Sequence, residues 1–148
     1  MESKELLCEV LLNSYKDLEH LCKICDKAIL KCAIKSHQRD VYEAFDMIAT
    51  LMDEKKMYCN IKVILDEAIS KLKRNIELKY RYVWGCRITD MEEMFGVKEN
   101  TLCNRIIRQK NKLFIYLQRK YTAEQLLDLI KGSRLLMKAY RRLCYENS

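Results

Sequence analysis

Asn100 and Asn104 stand four residues apart in a stretch that also holds Lys98, Glu99, Cys103, Arg105 and Arg108. An asparagine amide can pair in bidentate fashion with adenine, and an arginine guanidinium with guanine or with a phosphate. Between them Leu102, Ile106 and Leu113 recur at helical spacing and form a stripe to be buried. The polar set, with Ile107, is therefore left on the free faces of the same helix. These types at this spacing point to reading of nucleic-acid base edges rather than to bond making. No carboxylate pair, nucleophile constellation or phosphate loop is found, so an enzyme is the least expected class.

A helix used in this way must be held at an angle to a supporting one. Met91, Met94 and Phe95 supply an apolar face for a first short helix, which Thr89 can cap and which ends at Phe95. Gly96 tolerates the positive φ of a tight turn, and Val97 follows as the plug between the two helices. The second helix is predicted from near Lys98 to about Tyr121. Upstream, a segment from about Ile76 to Val83 is predicted to end at Gly85, a C′ residue in the left-handed conformation. Together these describe a helix-turn-helix, which presents one helix to the DNA major groove.

Leu78, Arg81-Tyr82, Gly85, Met91, Gly96-Val97, Glu99, Thr101-Leu102, Arg105, Arg108 and Lys112-Leu113 are in the order and spacing of sigma-factor region 4. The stretch 78–113 resembles that family without a gap. The layout also resembles short sigma-like regulators of phages and mobile elements in Gram-positive bacteria. The resemblance implies a sequence-specific transcriptional regulator that binds double-stranded DNA, with RNA polymerase as a further partner and no cofactor or metal. It places base-edge contacts at Glu99, Asn100, Cys103 and Asn104. Phosphate contacts would fall on Arg87, Lys98, Arg105 and Arg108, and on the basic continuation Lys110 and Lys112. Two residues depart from the pattern. Glu92 stands where the family has alanine close to the second helix. Lys98 replaces a Ser or Thr N-cap, at a cost of about 1 kcal/mol, and puts a cation at the positive end of a helix dipole. DNA would supply an anion there.

The rest of the chain has to carry this unit. Among 148 residues there is no proline, and glycine occurs three times, all beyond residue 84. Few tight turns are then available, and the composition favours helix. The expected fold is all-α: a long N-terminal helical hairpin (1–75), a helix-turn-helix domain (76–121) and a C-terminal amphipathic helix (122–148). Leu7, Leu11, Ser14, Leu18, Leu21, Cys25, Ala28 and Cys32 form a heptad-like seam on an unbroken first helix over 4–35. A turn near Ser36-His37-Gln38 leads to a second helix, capped by Asp40 and running to about Leu72. This hairpin is either a homodimer surface or internal packing. Thr122 and Gln125 have capping-box spacing ahead of one final helix to about Cys144, which Gly132 weakens or kinks.

Charge follows the same division. Residues 1–78 hold 13 Lys+Arg against 14 Asp+Glu, a net −1, while residues 79–148 hold 15 against 7, a net +8. A basic half fits a polyanion partner, although solvated lysine faces alone would also produce the excess. No stretch is apolar for long enough to span a membrane, and Met1-Glu2-Ser3-Lys4-Glu5 does not open a secretory leader. A cytoplasmic location follows, with the eight cysteines as free thiols. Cys22, Cys25, Cys32 and His37 have the loose form of a zinc site, but core thiols on the seam fit a continuous helix better. His20 has no partner spacing for catalysis. Cys103 is read as a small residue allowing close approach to DNA, in preference to a redox switch. Tyr82 and Trp84 are read as core anchors.

Overall fold

The computed structural model describes residues 3–36 and 40–148, and every element in it is helical. The first departure from the expected layout is at Ser14. The seam over 4–35 does not lie on one helix: α1 (Ser3–Ser14) and α2 (Leu18–Ile34) are separated by a 3-10 turn at Tyr15–Asp17. The Ser14 hydroxyl donates to the Leu11 carbonyl at 2.7 Å, a local bond that competes with the helical ladder. The Tyr15 hydroxyl donates across to Asp66. The turn lets the two halves of the seam serve different neighbours. α1 buries Leu7, Cys8, Leu11 and Leu12, whereas α2 buries Leu18 and Cys25.

Asp40 does cap α3 (Val41–Ser70), its carboxylate accepting from the Tyr42 amide at 2.9 Å. Of the expected turn before it, His37 and Gln38 lie outside the described residues. α3 packs along α2 in the opposite direction. Tyr15 meets Asp66, Cys22 Sγ lies 3.9 Å from Cys59 Sγ, and Asp26 pairs with Lys55 at 2.8 Å, so partners descend one helix as they climb the other. After α3 the chain crosses Lys71 to Asn75, where the Asn75 amide donates to the Ile69 carbonyl at 3.0 Å. α4 (Ile76–Leu78) runs directly into a π-helical turn, Lys79–Val83. Gly85 closes it at φ +66°, and Cys86 N–H reaches back to the Tyr80 carbonyl at 2.8 Å. Trp84 is not a core anchor: it is 58% exposed and meets Tyr80 edge-on at 4.7 Å. Tyr82, two residues earlier, is half-buried.

α5 (Ile88–Phe95) and α6 (Glu99–Lys120) follow, then α7 (Ala123–Ile130) and α8 (Arg134–Glu146). Thr122 and Gln125 form the expected capping box, each side chain accepting from the other's amide. The final helix is divided rather than kinked. Ser133 N-caps α8 by accepting from the Leu136 amide at 3.2 Å, and its hydroxyl also meets the buried Tyr58 hydroxyl at 2.9 Å. Gly132 passes over Met57, whose sulfur would lie 3.3 Å from an added Cβ. A tertiary contact thus selects the break.

One core draws on α1, α2, α3, α4, α6, α7 and α8, residues taken from all three stretches 1–75, 76–121 and 122–148. Its largest fully buried side chains include Tyr58, Leu7, Leu11, Ile61, Leu65 and Leu117. Met91, Leu102 and Ile106 form a second, much smaller core, with Tyr80, Tyr82, Cys86, Ile88, Phe95 and Val97 packed around it. Among the described residues no helix is long and apolar enough to cross a membrane.

Candidate nucleic-acid interface

α6 connects the two cores. Its 22 residues extend about 33 Å at 1.5 Å per residue. Leu102 and Ile106 sit in the small core, and Leu113, Phe114 and Leu117 in the large one. Gln109 is the joint between them. It is buried, its carbonyl oxygen accepts from the Leu78 amide at 2.9 Å, and its amide donates to Glu77 at 2.7 Å. The beginning of α6 is therefore held by α5 and its end by the main body.

α5 is set against α6 through Gly96, at φ 64° and ψ 30°, whose N–H donates to the Glu92 carbonyl at 2.9 Å. A residue with a Cβ would be strained in this conformation. Thr89 does not cap α5. The helix begins two residues earlier than a Thr89 cap would set it, and extended Arg87 takes the N-cap position with no side-chain cap bond. The Arg87 guanidinium instead pairs with Asp90 at 3.1 Å, on the surface. Lys98 holds the N-cap position of α6 and, as its side chain dictates, makes no cap bond there. Glu92 is half-exposed and has no ion-pair partner among the described residues, so its carboxylate reaches solvent and does not separate the two helices.

The sequence-derived candidates fall into two groups. Lys98, Glu99, Asn100, Asn104, Arg108 and Lys112 are exposed along the start and outer side of α6, and Arg87 is exposed beyond the near end of α5. Cys103 is half-buried beside them. Two others are engaged inward. Arg105 pairs with Glu77 at 3.6 Å and keeps less than half of its side chain exposed. Lys110 turns to the opposite side of α6. It pairs with Glu9 of α1, its side chain is 22% exposed, and its ammonium lies over the rings of Tyr82 and Phe114 at 5.8 and 5.5 Å. The structure brings the first group together and leaves Lys110 out. α8, which could have covered α6, packs chiefly against α1. The chain matches no family model, no curated protein and no solved structure.

Several residues that shape this surface were not singled out in the sequence. Lys73 and Arg74, from the connection between α3 and α4, line a trough of about 630 Å³ together with Glu77, Arg105, Arg108 and Lys112. Burial raises the Glu77 pKa, but the Gln109 hydrogen bond, its own backbone and the nearby Arg105 and Arg74 outweigh this and leave it lowered. Glu77 is thus an anion already committed to its neighbours. The run Lys71-Leu72-Lys73-Arg74 is plain in the sequence. Division of the chain at residue 78 assigned it to the acidic half, although it folds against the basic one.

The cysteines are spread over both cores and their surroundings, and His37 of the loose Cys22, Cys25, Cys32 and His37 set lies outside the described residues. All eight are free, and no group of three or more metal-ligating side chains occurs among the described residues. Burial pushes the Cys8 thiol up to about 12 and Cys22 up to about 11. Both are poor nucleophiles near neutral pH.

Proposed function

We propose that the protein is a sequence-specific DNA-binding transcriptional regulator, with α5 and α6 as its helix-turn-helix and α6 as the reading helix. The observation that carries the reading is the uncovered beginning of α6. Asn100 and Asn104 are exposed there while Leu102 and Ile106, on the other side of the same turns, are buried against α5. A left-handed Gly96 sets the angle between the helices, as a helix-turn-helix requires. In this reading Glu99, Asn100, Cys103 and Asn104 face base edges, and Lys98, Arg108 and Lys112 face phosphates, with Arg87 at the rim. Arg105 is a weaker contact because Glu77 competes for it. Lys110 drops out as a contact and becomes a structural ion pair. A cytoplasmic location goes with this function. Of the N-terminal helical hairpin, reduced to α2 and α3, it is α3 that adjoins the unit, through α6.

The test is a titration with mixed-sequence duplex DNA at several salt concentrations. Binding at about 50 mM salt that weakens linearly in log–log form as salt rises is the expected result. Absence of duplex binding at that salt overturns the reading. Selection from a randomised duplex pool should then return a preferred site, and Asn104→Ala should blunt that preference more than it lowers affinity for unrelated sequences.

A second reading, a helical adaptor for RNA polymerase or another protein, is favoured by a different observation. Leu30, Ile34, Val41 and Phe45, at the end of α2 and the start of α3, are each more than half exposed. Such apolar exposure marks a contact surface for a protein partner or a second copy of the chain. A pull-down that keeps its partners after nuclease treatment, from a protein with no duplex affinity, would replace the first reading by this one.

A further inference from the structure

We infer that the segment between α3 and α4, which lies outside the helix-turn-helix, joins the adjoining flank of α6 to form a track for the phosphates of one DNA strand. The inference rests on the proposed DNA-binding function and adds to it a contact surface contributed by another part of the chain.

Three observations support the track. The trough of about 630 Å³ brings Lys73 and Arg74 to the same wall space as Arg108 and Lys112. Glu77 is the one acidic residue lining it, and that carboxylate is already held by Gln109 and Arg105. Among the described residues Lys73, Arg108 and Lys112 have no ion-pair partner. Arg108 and Lys112 are moreover four residues apart on one helix, where like charges repel. The protein thus keeps an uncompensated concentration of positive charge at this place.

The charge also has an extended shape. A second trough of about 420 Å³ shares Lys112 with the first and continues to Lys71, Arg119 and Lys120. Lys120 is neutralised by Glu67 at 2.8 Å, which leaves Lys71 and Arg119 as the cations open to a ligand. From Arg108 to Arg119 along α6 is roughly 16 Å at the helical rise. One strand of B-DNA advances about 3.4 Å per phosphate, so a track of about this length spans several phosphates. An open trough of this length fits a continuous polyanion better than a compact phosphate ligand, which would touch one part and leave the rest unneutralised. The position is also suitable, because the troughs flank the face that carries Asn100 and Asn104. A strand bordering the groove entered by α6 would run beside that face.

The experiment compares the full-length wild type with Lys73→Ala/Arg74→Ala for binding to a mixed-sequence duplex of about 30 base pairs, between about 50 and 300 mM salt. Removal of one cation that touches a phosphate should lower the slope of log K against log salt by roughly 0.9. The double variant is therefore expected to have a slope shallower by about 2, with an unchanged melting temperature, because both side chains are exposed. A matching pair on α8, Lys138→Ala/Arg141→Ala, removes the same charge from a distant surface and is expected to leave the slope unchanged. Wild-type binding with an unaltered slope in Lys73→Ala/Arg74→Ala overturns the track and spares the DNA-binding reading. Equal slope changes in the two double variants overturn it as well, since net charge alone would then account for the weaker binding. Absence of wild-type binding overturns both.

Discussion

The two apolar cores of this protein differ in size, and the difference separates stability from recognition. The large core gathers side chains from seven helices, with Leu11, Leu12, Ile61, Leu65 and Leu117 fully buried. The small core has three buried residues, Met91, Leu102 and Ile106, and a rim of partly buried side chains, three of them aromatic. α6 enters both. Its second half is therefore anchored by the whole body, and its first half is aimed by α5 together with Glu77 and the turn that carries Tyr80 and Tyr82. In the proposed function the beginning of α6 meets DNA. A small core there sets the angle of the reading helix without governing whether the chain folds.

The largest effect should come from the large core. Leu11→Ala removes a fully buried side chain and should cost about 3–5 kcal/mol. Because α6 is shared, α5 should lose its support at the same time. The single Trp84 packs on Tyr80 at the edge of the small core and reports on that region. In this variant the tryptophan fluorescence and far-UV circular dichroism transitions should coincide in urea. A small core that outlasted the large one would break the comparison.

Met91→Ala tests the other side. Met91 is fully buried, and its truncation should cost about 2–4 kcal/mol, confined to α5 and the first turns of α6. The Trp84 transition should move to lower urea than the circular dichroism transition, with duplex affinity falling while most helical signal persists. Coincident transitions would show that the small core is not an independent unit.

Legibility in the sequence follows the same contrast. Features settled by local backbone chemistry could be read: the left-handed Gly85 and Gly96, the Asp40 cap, and the Thr122–Gln125 box. Periodicity also separated Leu102 and Ile106 from Asn100 and Asn104, because a helix face is defined by near neighbours. The breaks at Ser14 and Ser133 could not be read in this way. Ser14 looked like one more small seam residue, and Ser133 acts as a cap where the Tyr58 hydroxyl, distant in sequence, reaches it. Lys110 has the spacing of a phosphate contact, and only the arrival of Glu9 from α1 reveals it as an internal partner. The cations Lys73 and Arg74 were visible, but their placement depends on how the connection after α3 folds back toward α6.

The two flanks of α6 sharpen the comparison at smaller magnitude. Lys110→Ala leaves Glu9 without its cation and removes a stem packed near Tyr82 and Phe114. It should lower stability by about 1–2 kcal/mol and leave duplex affinity at the wild-type level. Arg108→Ala should do the reverse. Its side chain is exposed, so stability should stay within about 0.5 kcal/mol, while affinity falls for all duplex sequences alike and the salt slope drops by about 1. Chemical denaturation and anisotropy titration of the two variants side by side would decide the matter. Equal drops in affinity would mean that Lys110 leaves Glu9 to reach the DNA.

The smallest effect has the most informative sign. Lys98 sits at the N-cap of α6 with extended backbone, φ −74° and ψ 156°, a conformation in which serine would accept from an amide of the first turn. Lys98→Ser should therefore raise the stability of the free protein by about 1 kcal/mol, by supplying the missing cap and removing a cation from the positive end of the helix dipole. If Lys98 faces a phosphate, the same change should weaken duplex binding and lower the salt slope by about 1. A stabilising change that costs binding would mean that the lysine is kept at this position for its contact with DNA, against the local preference of the helix. A gain in stability with undiminished affinity would remove Lys98 from the interface and leave the approach of α6 to Asn100, Asn104 and the flank at Arg108.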